Sequence, residues 1–294
     1  MAHRSGKKRG TMKLKKGIKK ILPDVLIKTM SIRKEKKSLR RLQKLKCNAE
    51  QLRLVGDVDA KESFSSDRIG TYWKDSESRL GVFAIPDFTG GVNPGDRRAI
   101  YYLVSKFNPS SVLEIGTHIG ASTLHIAEAL LVEQKKEGSR ADFVTVDIAD
   151  VNDSSLKPWL QYGTTHSPLS MVIEMGYGNI VEFVQGSSLN YLSDCKRKFD
   201  FIFLDGDHSS TTVYQEIPRA VELLNPDGLI LLHDYFPDLK PLWSNGVVIP
   251  GPFVAAERLR EEGANITVLP LGELPWTTKL HSNVTSLALL LRNH

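Results

Sequence analysis

Val112-Leu113-Glu114-Ile115-Gly116-Thr117-His118-Ile119-Gly120-Ala121-Ser122-Thr123 is the stretch on which the fold turns. An aliphatic, β-branched run gives way to two glycines four residues apart and then to helix-forming sequence. That order describes a strand, a tight loop and a helix N-terminus, where backbone N–H groups can hold an anionic or nucleotide-like ligand. Gly116 and Gly120 carry no Cβ, so the chain can turn sharply and approach a ligand closely. Glu114 stands just before them. The spacing is neither the Gly-x-Gly-x-x-Gly dinucleotide fingerprint nor a P-loop, since no Gly-Lys-Ser/Thr follows.

One helix further on, Asp142-Phe143-Val144-Thr145-Val146-Asp147 reads as a second strand ending in a carboxylate suited to two ribose hydroxyls. The spacing predicts helices over 97–107, 120–131, 211–224 and 251–262, and strands over 111–115, 142–147, 180–185, 199–204, 229–233, 266–269 and 286–291. Apolar strands between helices imply an α/β protein with a parallel sheet covered on both faces, whose ligands bind beyond the carboxyl ends of the strands. Glu114-x-Gly116-x-x-x-Gly120 followed by a strand ending in Asp147 resembles the cofactor site of class I S-adenosylmethionine-dependent methyltransferases. The resemblance implies a Rossmann-like, seven-stranded, mostly parallel sheet with an antiparallel last strand. It also implies S-adenosyl-L-methionine as cofactor, with Glu114, Gly116 and Gly120 beside its methionine part and Asp147 on the ribose. Ser187 and Ser188, after the third strand, fall where such enzymes contact adenine. His118, inside the loop, is expected to touch the cofactor through its backbone or to face solvent.

The fourth strand ends Asp205-Gly206-Asp207-His208 and the fifth His233-Asp234, at one rim of such a sheet. Two facing carboxylates repel unless one takes up a proton or a cation sits between them. A divalent cation would resolve the conflict and could hold and acidify a substrate hydroxyl. Asp205-x-x-His208 followed by His233-Asp234 is similar to the metal-dependent small-molecule O-methyltransferases of the macrocin-type sugar and cephalosporin hydroxylase-like groups. On that comparison Asp205 and Asp234 are metal ligands, His208 is the general base, and the acceptor is a hydroxyl of a small molecule or sugar. His233 stands where that group carries an acid. It either ligates the metal, suiting Mn, Fe or Zn better than Mg, or orients Asp234. Tyr214, Trp243 and Trp276 read first as packing residues and second as borders of a substrate cavity.

Charge is unevenly spread. Residues 1–46 hold 18 Lys or Arg against Asp24 and Glu35, while the whole chain of 294 residues carries only +5, so the remainder is acidic. Within 12–30 apolar residues recur at helical spacing beside a lysine-rich face, with Pro23 expected to kink or restart the helix. Such a segment can lie on an anionic membrane surface, or pack on its own domain or on a second subunit. The expected organisation is a basic extension over 1–46, a cap or linker rich in loops over 47–95, and a methyltransferase domain over 96–294. Cys47 and Cys195 suggest no disulfide framework and a reducing compartment. No run of about 18 apolar residues spans a membrane, and the start lacks the apolar core of a signal peptide. A cytoplasmic protein, peripheral on the inner face of the membrane through its tail, is the expectation, and an oligomer is compatible with it.

The acidic body argues against a nucleic-acid groove, as does the absence of an Asn/Asp-Pro-Pro-aromatic motif after the fourth strand. Fold does not fix reaction. The alternatives are a metal-dependent hydroxylase- or hydrolase-like enzyme using the Asp/His cluster, and a non-catalytic cofactor-binding module recruited to a membrane.

Overall fold

The computed structural model describes residues 24–87, 89, 91–137 and 141–294. Most of the amphipathic stretch expected over 12–30 lies outside the described residues.

Seven strands form one sheet: β1 Ser111–Ile115, β2 Asp142–Asp147, β3 Val181–Gln185, β4 Phe199–Leu204, β5 Leu224–Leu232, β6 Ile266–Pro270 and β7 Ala288–Arg292. Their order across the sheet is β3-β2-β1-β4-β5-β7-β6, and β7 runs antiparallel to both of its neighbours. Alternate residues of a strand point to opposite faces, and here both faces are dry. Val112, Phe143, Phe201, Phe203 and Leu231 enter one core, while Leu113, Ile115, Val144, Ile202 and Leu232 enter the other. That is why the central strands read as continuous apolar runs rather than alternating ones.

Two observed elements position the site directly. Helix α4, Pro94–Phe107, is the fourth in chain order after α1 Asp24–Leu39, α2 Ala60–Ser63 and α3 Asp67–Leu80. It starts at Asn93, whose side chain accepts from the Asp96 N–H, and Pro94 fills the first turn where no N–H is needed. Helix α5, Ala121–Glu137, follows the glycine loop. Gly120 takes φ +75°, and a Cβ there would press on Pro168, so this position needs a glycine on two counts. Three more helices complete the second layer: α6 Pro168–Glu174, α7 Ser188–Asp194 and α8 Ser210–Glu222; α9 Gly251–Glu261 lies beside α8.

The expectation of loops between Cys47 and Asp96 is corrected by α3. Ser66 caps its first turn, and Ile69, Trp73, Ser76 and Leu80 turn inward at helical spacing. The segment before it pairs with β5 and the end of β7, where Arg53 N–H donates to the Gly228 carbonyl at 3.0 Å and Arg292 Nε to the Leu52 carbonyl at 2.7 Å.

Helix α1 docks on α8 and α9. Leu39 is 2% exposed, and Glu35 accepts from the Ser210 N–H at 2.9 Å and from its hydroxyl at 2.8 Å. Arg258 of α9 donates to the carbonyls of Leu39 and Leu42 and lies 4.3 Å from the centre of the Tyr214 ring. Tyr214 is therefore a packing residue: it is fully buried, and its hydroxyl accepts from the Leu45 N–H at 2.8 Å. Trp243 is also buried, its Nε1 donating to the Val284 carbonyl.

Candidate active site

The strand order reverses between β1 and β4, so the loops leaving these two neighbours diverge and open a crevice at their carboxyl ends. A cavity of about 440 Å³ occupies it, walled by Gly116, Asp147, Ser187, Ser188, Asp205 and His208 among others. Gly116 adopts φ +102°, and a Cβ on it would collide with the Asp205 backbone. The first and fourth strand ends thus meet closely only because this residue is glycine.

Asp147 ends β2 at the cavity. One carboxylate oxygen accepts the His118 N–H at 2.8 Å and the other the Ala149 N–H at 2.9 Å. Each oxygen keeps a lone pair, so two ligand hydroxyls could still be received. His118, at φ +49°, directs its N–H to Asp147, its ring packs edge-on against Tyr162, and burial lowers its pKa. Ser187 precedes α7 as its N-cap residue without capping through its hydroxyl, which leaves that hydroxyl for a ligand.

Glu114 and Gly120 do not reach the cavity wall. Glu114 is fully buried beneath the loop, where its carboxylate accepts from the hydroxyls of Ser122 at 2.5 Å, Thr145 at 2.7 Å and Thr123. Burial pushes its pKa up to about 7, against the pull of those three hydroxyls. Its place corrects the expectation of direct cofactor contact: Glu114 ties β1, β2 and α5 together and so shapes the loop from below.

At the far wall β4 and β5 bring Asp205, His208, His233 and Asp234 together. His208 Nε2 lies 3.4 Å from Asp234 Oδ2 and 3.9 Å from Asp205 Oδ1, with its side chain 32% exposed. His233 is buried; its Nδ1 donates to Asp205 Oδ1 at 2.6 Å, and its Nε2 lies 3.4 Å from Asp96 Oδ2. The second separation is an ion-pair distance without hydrogen-bond alignment. Burial works against the imidazolium, but the carboxylates of Asp205, Asp234 and Asp96 outweigh it and raise the His233 pKa well above its ordinary value. Asp234 sits at φ +52°, with Ser286 Oγ donating to it at 3.3 Å.

This arrangement departs from the expected metal centre. The repulsion between Asp205 and Asp234 that calls for a cation is relieved by the His233 imidazolium. Both His233 nitrogens face carboxylates, Nδ1 towards Asp205 and Nε2 towards Asp96. Among the described residues no three His, Cys, Asp or Glu side chains converge as ligands. As arranged, Asp205, His233 and Asp234 do not fit a divalent ion.

Asp96 went unnoticed in the sequence because Asn93-Pro94-Gly95-Asp96 carries every mark of a helix start. Asn93 Nδ2 does donate to Asp96 Oδ2 at 2.6 Å, yet the same carboxylate backs His233 from a distant element. Asp207 was likewise missed as a structural residue. It accepts from the Ser209 N–H and from the hydroxyls of Ser209 and Thr212, which fixes the turn carrying His208 onto α8.

Residues 113–235 match the family model described as a methyltransferase domain. The chain is 25% identical over 179 residues to the probable O-methyltransferase Rv1703c of Mycobacterium tuberculosis, a match covering 59% of this chain. The chain spans 60% of the length of that curated relative. A solved structure of a Klebsiella pneumoniae protein, described as a candidate O-methyltransferase, aligns with a TM-score of 0.50 at 17% identity, over 78% of this chain and 91% of its own. The methyltransferase PaMTH1 of Podospora anserina, solved with S-adenosylhomocysteine, aligns at 0.49 and 19% identity, over 78% and 89%. The match to a methyltransferase domain thus falls on the part of the chain that runs from β1 to the end of β5 and carries the crevice.

Proposed function

We propose that the protein moves the methyl group of S-adenosylmethionine to a hydroxyl of a small molecule or sugar, with His208 as general base. The observation that carries this reading is that His208 stands on the wall of the same cavity as Gly116 and Asp147, with its Nε2 3.4 Å from a carboxylate. Asp147, Asp205 and Asp207 line that cavity, a negative surface that suits a cofactor carrying a sulfonium and an ammonium group. Methyl transfer needs an acceptor oxygen in line with the sulfonium and a group to take its proton. His208 supplies the second: Asp234 orients its Nε2 and stabilises the imidazolium formed as the proton arrives. His233 and Asp96 hold the two carboxylates in place from behind. No step is assigned to a Mg or Mn ion, because the donor set does not present ligands to one.

The location proposed is cytoplasmic, with the basic segment over 12–30 resting on an anionic membrane face. Among the described residues no helix is long and apolar enough to cross a membrane. The reading of the reaction is tested by incubating the full-length protein with labelled S-adenosylmethionine and a panel of sugar and phenolic acceptors, scoring methyl gain by mass spectrometry. Transfer to an oxygen acceptor supports it. Cofactor binding without transfer to any acceptor would favour a binding module instead. Transfer that stops on chelation and returns with Mn would reinstate Asp205 and Asp234 as ligands.

A further inference from the structure

A second cavity of about 300 Å³ lies away from the crevice, between α3, the start of α4 and Trp276. Arg98, on α4, stands on its wall and on that of an adjoining hollow. Its guanidinium lies over three rings, 4.1 Å from the centre of Trp276, 5.4 Å from Trp73 and 5.5 Å from Tyr102. The rings are held by their own partners. Trp276 Nε1 donates to the Gly95 carbonyl at 2.9 Å, and Trp73 packs edge-on against Tyr101 and stacks on His125.

The donors at this place lack acceptors. Arg98 makes one long hydrogen bond, from Nη2 to the Tyr102 hydroxyl at 3.4 Å, and no ion pair among the described residues. Its buried Nε has no partner, and neither has Nε1 of Trp73, a residue only 5% exposed. Its neighbour Arg97 shows the contrast, donating to the carbonyls of Val92, Ile85 and Pro86. A buried N–H without an acceptor is costly, and more so on a charged group. His125 offers no second cation: its Nδ1 donates to the Ala121 carbonyl at 2.7 Å, and burial lowers its pKa to about 3, so the ring is neutral.

What completes the terminal N–H groups of Arg98 is a ligand bringing acceptor oxygens and negative charge. Glu77 and Asp87 also line the cavity, and their charge disfavours a dianion. We infer that this cavity binds a small organic monocarboxylate, with its oxygens on the terminal nitrogens of Arg98 and its apolar or planar body against Trp73 and Leu80. The inference is independent of methyl transfer.

The test is titration of the full-length protein with benzoate and with phenylacetate, followed by tryptophan fluorescence and calorimetry. Benzamide and inorganic phosphate serve as controls. Saturable millimolar or tighter binding of a carboxylate is expected, with both controls at least about tenfold weaker, as loss of a charge-assisted pair implies. Arg98→Gln should weaken the carboxylate and Arg98→Lys should retain part of that affinity, while S-adenosylmethionine affinity holds. Arg98→Gln loses the contacts over the three rings, but the rings keep their own partners, so this variant should keep the fold. No saturable carboxylate binding, equal affinity for benzamide, tighter binding of phosphate, or unchanged affinity in Arg98→Gln would each overturn the inference.

Discussion

His208 and Glu216 show how neighbours decide what an ionisable side chain can do. His208 is one-third exposed beside two carboxylates, open to an acceptor from the cavity. Replacing it with Ala should lower turnover by roughly 10²–10⁴ with cofactor affinity unchanged, as removal of a general base does. Single-turnover kinetics beside calorimetry would check this. Glu216, on α8, is 1% exposed with one carboxylate oxygen lacking a partner, and burial pushes its pKa from 4.5 to about 7. Between those values the folded state keeps a proton that the unfolded chain releases. Its contribution is therefore fully present below pH 4.5 and lost as pH rises through about 7, on the order of 3 kcal/mol. The wild type should thus be more stable relative to Glu216→Gln at about pH 5 than at about pH 8. Chemical denaturation at both pH values measures it, and a pH-independent difference would place the Glu216 proton elsewhere.

At the scale of elements, α1 packs against the start of α8, next to the turn that carries His208. Glu35 caps the start of α8, two residues after His208, and Leu39 fills the space beneath. Leu39→Ala should cost about 2–5 kcal/mol of stability, as other buried Leu truncations do, and urea unfolding will show it. The charge imbalance of residues 1–46 was plain in the sequence, but this docking was not. Lys and Arg dominate the composition, and the contacts run from Glu35 and Leu39 to Ser210 and Arg258, far along the chain. The strands were legible because runs such as Phe201 to Leu204 and Leu229 to Leu232 are wholly apolar and buried on both faces, and the loop because two glycines four residues apart follow β1. Helix α3 escaped notice because only four of its residues turn inward, one of them Ser76, so its stripe is faint beside its polar face. Asp147, His208, Asp205 and Asp234 could be chosen from strand ends alone. That His233 would turn both nitrogens to carboxylates depended on Asp96, which sequence distance hid.

Over the whole molecule, the sheet order brings Gly116, Asp147, Asp205 and His208 to the wall of one crevice, while α1 packs on α8 and α9. If residues before Asp24 engage a membrane, deleting 1–23 should abolish sedimentation with anionic liposomes and leave stability and cofactor binding intact. Added salt should weaken sedimentation of the full-length chain; equal sedimentation of both forms would remove the membrane role. The deletion should stop there, because removal through residue 46 would also take Glu35 and Leu39 out of the fold. The central claim is that the crevice between β1 and β4 holds S-adenosylmethionine with Asp147 on its ribose. Calorimetric titration of the cofactor into the wild type and Asp147→Ala tests it most directly. Saturable one-site binding is predicted, weakened in the variant by about 1–3 kcal/mol through loss of hydroxyl partners. No binding by the wild type at millimolar cofactor, or an unchanged dissociation constant in a folded Asp147→Ala protein, would contradict it.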